Sequence, residues 1–174
     1  MDRTSTKVVY EGQIATVRLE EFRYPDGSTA QREVIVHPGA VAMAAHDDEH
    51  LYLVRQPREA VGEEALLELP AGKLDVPGES PLDCARRELA EEIGMEAETW
   101  RELKRFYTSP GFASEQVTVF EATELSESNA DPDVEERIEL VRWPLSDLDG
   151  AISECEDAKS LVGMLILGEL LRGA

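Results

Sequence analysis

The chain has 174 residues, with 17 Lys and Arg against 37 Asp and Glu, a formal net charge of −20. That length suits one ordinary domain, and 42% hydrophobic residues can bury a core, which excludes a disordered acidic tail as a description of the whole. A surface this negative repels phosphate backbones and anionic lipid headgroups, so it excludes unaided binding to nucleic acid or a membrane surface and demands a cation for any anionic ligand.

The N-terminal stretch alternates in short β-like runs: VVYEG, then IATVRLEEFRY, then REVIVH, with Pro25-Asp26-Gly27 as a hairpin turn between the second and third. An antiparallel meander is predicted. A second β-rich stretch follows, with GAVAMAA at 39–45, LYLVRQ at 51–56 and LLELPAG at 66–72. The first strong helix comes next. Ser80 offers an N-cap, Pro81 the first helical position, Asp83 an acid in the first turn, and Gly94 a C-terminal stop.

Beyond the helix, WRELKRFYTSPG and QVTVFEATEL read as strands joined by a loop with Pro110 and Gly111. The acidic stretch 126–136, with Pro132 inside it, reads as a mobile loop before the strand RIELVRW. The closing DAKSLVGMLILGELLR reads as a helix apolar nearly all round, suited to the core or to a subunit contact. Hairpins outnumber βαβ units, so the fold class is α+β with mixed sheets. Two cysteines, Cys84 and Cys155, make no disulfide framework and fit a reducing cytosol; with no signal peptide and no apolar run of membrane-spanning length, a cytoplasmic protein is expected. Arg outnumbers Lys 13 to 4, and an acid-rich, Lys-poor surface is one way to stay soluble in concentrated salt.

The chemistry concentrates in residues 70–95, PAGKLDVPGESPLDCARRELAEEIGM. On the helix, Leu82, Ala85, Leu89 and Ile93 share one stripe, while Glu88 and Glu92 stack one turn apart on its flank. Two carboxylates pointing the same way repel unless a cation lies between them, and an oxygen-only donor set suits Mg²⁺ or Mn²⁺ and not zinc. Arg87 stands four residues before Glu91, in place to pair with it along the helix.

The whole segment resembles the Nudix box, G-x5-E-x7-R-E-U-x-E-E-x-G-U. Gly72, Glu79, Arg87, Glu88, Leu89, Glu91, Glu92, Gly94 and Met95 fill its fixed places, with one departure: six residues, not five, separate Gly72 from Glu79. An extra residue in the loop before the helix leaves the spacing of the helical carboxylates intact. The resemblance implies a Nudix fold, mixed β-sheets between helices, that binds Mg²⁺ or Mn²⁺ and hydrolyses a nucleoside diphosphate linked to another group. It also implies a division into an N-terminal β extension, 1–38, and a hydrolase domain, 39–174.

Three further features resemble the ADP-ribose pyrophosphatase group: the β-rich extension, the QPRE stretch from Gln56 to Glu59 leading to LPAG, and an SPG-x-x-x-E segment from Ser109 to Glu115. That resemblance implies cleavage of ADP-ribose to AMP and ribose 5-phosphate by in-line attack of a metal-activated water. The Ala71 carbonyl, Glu88 and Glu92 are the implied metal ligands, supported by Glu91, with Glu79 orienting them. Arg32 and Arg58 are candidates for the pyrophosphate or terminal ribose, Gly111 and Glu115 for other substrate contacts, and Tyr24 or Phe22 for stacking on adenine. Glu135 and Glu136 are the candidates for the general base, next to Val134 where relatives carry an acid, and Glu91 is a further catalytic candidate. Exchange of the N-terminal strands implies a homodimer. The alternatives are a Nudix hydrolase of another nucleotide sugar or a dinucleoside polyphosphate, or a non-catalytic domain that senses a nucleotide.

Overall fold

A computed structural model describes residues 1–128 and 137–173. The chain divides into two units, one of Met1–Gly39 with Phe106–Gln116, the other of Ala40–Arg105 with Val117–Ala174.

The first unit carries a three-stranded antiparallel sheet of β1 (Asp2–Glu11), β2 (Thr16–Arg23) and β3 (Thr29–Val36), in that order. The β2–β3 turn forms where the Pro-Asp-Gly signal stands. Gly27 takes φ +85°, its N–H donates to the Tyr24 carbonyl, and Asp26 Oδ1 accepts from the Ser28 N–H at 3.0 Å. The 106–116 stretch joins this unit through Ser114 N–H to the Ile35 carbonyl (2.9 Å) and Ile35 N–H to the Phe112 carbonyl (2.8 Å).

The second unit is built on a seven-stranded sheet. It holds β4 (Ala40–His46), β5 (His50–Arg58), β6 (Glu63–Glu68), β7 (Ala71–Lys73), β8 (Met95–Tyr107), β9 (Gln116–Glu127) and β10 (Glu139–Pro144). Its main path runs β10-β5-β4-β9-β8, with β6 on β5 and β7 on β4; β4 and β9 are parallel, while β5 is antiparallel to β10, β4 and β6. Every residue of β4 is buried, as its unbroken apolar run requires of a strand covered on both faces. The stretch expected as one strand, 66–72, breaks into β6 and β7. Pro70 has no N–H to give a ladder and the chain changes partner from β5 to β4 there.

Helix α1 (Pro81–Ile93) forms between the anticipated caps. Ser80 Oγ accepts from the Asp83 N–H, and Gly94 closes the helix in the left-handed conformation at φ +66°. Cys84, Ala85, Leu89 and Ile93 are buried, and Leu82 packs on the same core beside Val41, Met43, Val54 and Phe120. A short helix, α2 (Leu148–Glu154), was not foreseen; its anchors, Leu148 and Ala151, are buried. Helix α3 (Ala158–Gly173) buries Ser160, Gly163, Met164, Leu167 and Gly168 but leaves Leu165 and Leu171 exposed, so its apolar character does not mean burial all round. Among the described residues no helix is long and apolar enough to cross a membrane.

Candidate active site

The site grows from the contact between α1 and β7. Gly72 lets the Glu88 side chain lie directly on the backbone: a Cβ there would stand 2.0 Å from the Glu88 carboxyl carbon, a distance no side chain tolerates. One turn later, Glu92 Oε2 accepts the Ala71 N–H at 2.9 Å. The two carboxylates that share a flank of α1 are thereby brought to consecutive residues of one short strand. The Cys84 thiol adds a third tie, donating to the Lys73 carbonyl at 3.3 Å; burial, reinforced by the charges of Glu88 and Glu79, pushes that thiol up to about 12.

Arg87 gathers the remaining acids. Its Nε and Nη2 meet Glu79 Oε1 and Oε2 at 3.0 and 3.1 Å, and its Nη1 meets Glu88 Oε1 and Glu91 Oε2, each at 2.9 Å. The pairing with Glu91 is the one read from the i, i+4 spacing; the pairings with Glu79 and Glu88 were not read. The Glu79 hydrogen bonds, with Glu88 and Glu91, outweigh burial and raise the Arg87 guanidinium above its ordinary value; the same hydrogen bonds hold the Glu79 carboxyl below the usual carboxylate range. Arg87 thus holds Glu79, Glu88 and Glu91 around one guanidinium, which offsets the repulsion among these like charges.

Arg58, at the end of β5, meets Glu68 side-on, with Nη2 to Oε2 at 2.9 Å and Nε to Oε1. Glu68 is 1% exposed. Hydrogen bonding to Glu68, against burial, raises the Arg58 guanidinium above its ordinary value, and the charge of Glu92 adds to it. Its Nη1 makes no hydrogen bond among the described residues.

Residues 36–159 match the NUDIX domain family. The chain belongs to the Nudix family of pyrophosphohydrolases. An ADP-ribose pyrophosphatase of Bacillus subtilis is 41% identical over 80% of this chain and 76% of its own length. One of Mycobacterium tuberculosis is 45% identical over 71% of this chain, which spans only 59% of that protein. A crystal structure of an ADP compounds hydrolase shares the fold at a TM-score of 0.86 with 26% identity, over 99% of this chain and 94% of the other.

The Nudix box therefore folds as a strand, loop and helix that converge Ala71, Gly72, Glu79, Arg87, Glu88, Glu91 and Glu92, with Gly94 as the helix stop. Among the described residues no three His, Cys, Asp or Glu side chains form a ready-made metal cage. The donor chemistry nonetheless fits a hard divalent ion: Glu88 and Glu92 are carboxylates held against a backbone cradle that any Cβ at position 72 would fill. The second unit carries Arg58; the first unit carries Arg32, Gly111 and Glu115. Arg32 is exposed, reaching the Gln31 carbonyl at 2.9 Å and the Tyr24 hydroxyl at 3.4 Å. Gly111 faces open space, and Glu115 accepts from Thr108 Oγ1 at 2.7 Å and lies 3.5 Å from His37 Nδ1. Tyr24 and Phe22 are half-buried. Glu135 and Glu136 lie outside the described residues.

Sequence reasoning missed Glu68 and its partner Lys159, and with them Asp157, which meets Lys159, and Ser160, which meets Asp157. The signal was present in a charged residue inside the apolar run LLELP, and in one of only 4 lysines at the head of an apolar helix.

Proposed function

We propose that this Nudix hydrolase cleaves the diphosphate of ADP-ribose with water, giving AMP and ribose 5-phosphate. The observation that carries the reading is the convergence of Glu88 and Glu92 on Ala71–Gly72. The likeness to two ADP-ribose pyrophosphatases supports the substrate.

Glu88, Glu92 and the Ala71 carbonyl are the proposed ligands of Mg²⁺ or Mn²⁺, with Glu91 in support. Such an ion, when bound, acidifies water and neutralises charge developing on phosphate oxygens. The protein's own groups do the rest. Arg87 fixes the carboxylates so that little reorganisation is needed when the diphosphate arrives, and Nη1 of Arg58, which makes no hydrogen bond among the described residues, offers a guanidinium edge to a phosphate oxygen. Arg32, Gly111 and Glu115 are proposed to contact substrate, and Glu135 or Glu136 to take the proton from the attacking water. A homodimer assembled through the first unit is part of the same reading.

Incubation with ADP-ribose and Mg²⁺, with products identified by mass spectrometry, is expected to give AMP and ribose 5-phosphate in equal amounts. An intact substrate sinks the reading. The likeness to an ADP compounds hydrolase supports a second one, action on other ADP-linked compounds, which a panel of such compounds separates by relative kcat/KM.

A further inference from the structure

We propose that Asp157, Lys159 and Ser160, at the head of α3, are positioning residues that act on the site through Leu69 and Glu68. Ser160 is fully buried. Its hydroxyl accepts the Leu69 N–H at 2.7 Å and donates to Asp157 Oδ2 at 2.5 Å, so both of its directions are committed. Asp157 Oδ2 also accepts the Ser160 N–H at 3.0 Å and meets Lys159 Nζ at 2.9 Å. Lys159 Nζ continues to Glu68 Oε2, the oxygen that also receives Arg58 Nη2.

This chain of bonds governs two things that the proposed chemistry needs. The first is the strap from Leu69 to Ala71. Pro70 has no N–H, so the strap owns two backbone donors: one is held by Ser160 and the other by Glu92, while the Pro70 carbonyl accepts from the Met43 N–H at 2.9 Å. Leu69 is thus tied to α3, and Ala71 to α1, across a rigid proline. The second is the aim of Arg58. Glu68 is buried between two cations, and its carboxylate plane decides which edge of the guanidinium faces outward. With Lys159 gone, Glu68 keeps one cation and rotates towards it, and Arg58 turns with it.

The inference deepens the proposed function and rests on it, so the test carries one arm that needs no substrate. Mn²⁺ binding to the full chain, followed by electron paramagnetic resonance with the metal alone, is compared for wild type, Ser160→Ala and Ser160→Thr. Steady-state kinetics with ADP-ribose at saturating Mg²⁺ compare Lys159→Met with Lys159→Arg. All are run where circular dichroism shows each variant folded.

Ser160→Ala keeps the Asp157 cap on its own N–H but loses the Leu69 anchor, and is expected to weaken Mn²⁺ about 10-fold, with Ser160→Thr restoring most of it. Lys159→Met is expected to raise KM about 10-fold more than it lowers kcat, with Lys159→Arg within about threefold of wild type. Folded variants with Mn²⁺ affinity and KM within about twofold of wild type overturn the proposal, because a purely structural role moves only the melting temperature. Should Lys159→Met fail to fold, Lys159→Gln, which keeps a donor for Glu68 without the charge, carries the same comparison. A wild type that binds Mn²⁺ but leaves ADP-ribose intact removes the proposed function while the Ser160 comparison still decides the relay; a wild type that binds no Mn²⁺ removes both.

Discussion

Strand β1 leaves all of its residues exposed, including Val8, Val9 and Tyr10, whereas β4 leaves none exposed. Both are strands of ordinary length, yet one lies in a dry core and the other presents apolar side chains to solvent. Strand β4 supplies Val41, Met43 and Ala45 to a core shared with α1 and the neighbouring strands, whose burial stabilises the second unit. The first unit's sheet is held by its backbone ladder and by ion pairs such as Arg3 with the buried Glu20. The Nudix box and the larger buried core therefore share one unit, and the other keeps Val8, Val9 and Tyr10 exposed on β1, a surface the proposed homodimer would use.

The sharpest separation of chemistry from stability inside the second unit is Gly72→Ala. The methyl group collides with the Glu88 carboxyl group and not with backbone, so the side chain swings away and the fold survives. Turnover is expected to fall by at least about 100-fold while the melting temperature shifts by only a few degrees. Equal losses of both would show that the close approach serves packing alone.

Next in size is the contrast between the two units. Met43→Ala opens a cavity in a fully buried position and is expected to cost about 2–5 kcal/mol in a urea titration. Val8→Thr, on the exposed strand, is expected to cost no more than about 0.5 kcal/mol at concentrations where the chain is monomeric. A comparable loss from Val8→Thr would mean that β1 is covered in solution.

Much of this was legible in the sequence where a local signal decides the structure. Ser80, Pro81 and Gly94 act within a turn or two of themselves, and α1 follows; the box spacing along one helix brings Glu88 and Glu92 to one flank. The Arg58–Glu68 pair was not legible, because it depends on the register of β5 with β6, where a shift lies between Gln56 and Arg58. The relay from Ser160 to Leu69 spans 91 residues of chain, so no local pattern encodes it. Helix α2 was missed for a related reason: Asp147 makes no side-chain cap and Gly150 weakens its propensity, so the burial of Leu148 and Ala151 stabilises it from outside.

A smaller effect tests how much the local signals contribute. Gly94→Ala places a methyl group on a residue at φ +66° with open space around it, so the cost is conformational and not steric. About 1–2 kcal/mol is expected, with turnover at saturating Mg²⁺ unchanged. A loss as large as that of Met43→Ala would mean that the end of α1 is coupled to the core more tightly than its contacts indicate.

The smallest effect appears only in acid. Burial alone would raise the Asp157 carboxyl, but the Lys159 ammonium and the Ser160 hydrogen bonds outweigh it and hold it below the usual carboxylate range. A depressed folded-state value means that Asp157 contributes stability above the unfolded value of about 3.9, and that the contribution is lost as the pH falls through the lower folded value. Protonation also relieves the self-repulsion of a chain with net charge −20, an effect of opposite sign that wild type and Asp157→Asn share. The difference in melting temperature between them is therefore the quantity to follow. It is expected to be constant above about pH 5 and to shrink steadily towards pH 3. A difference that stays flat over that range would mean that Asp157 is neutral in the folded chain, and that Lys159 is held by Glu68 alone.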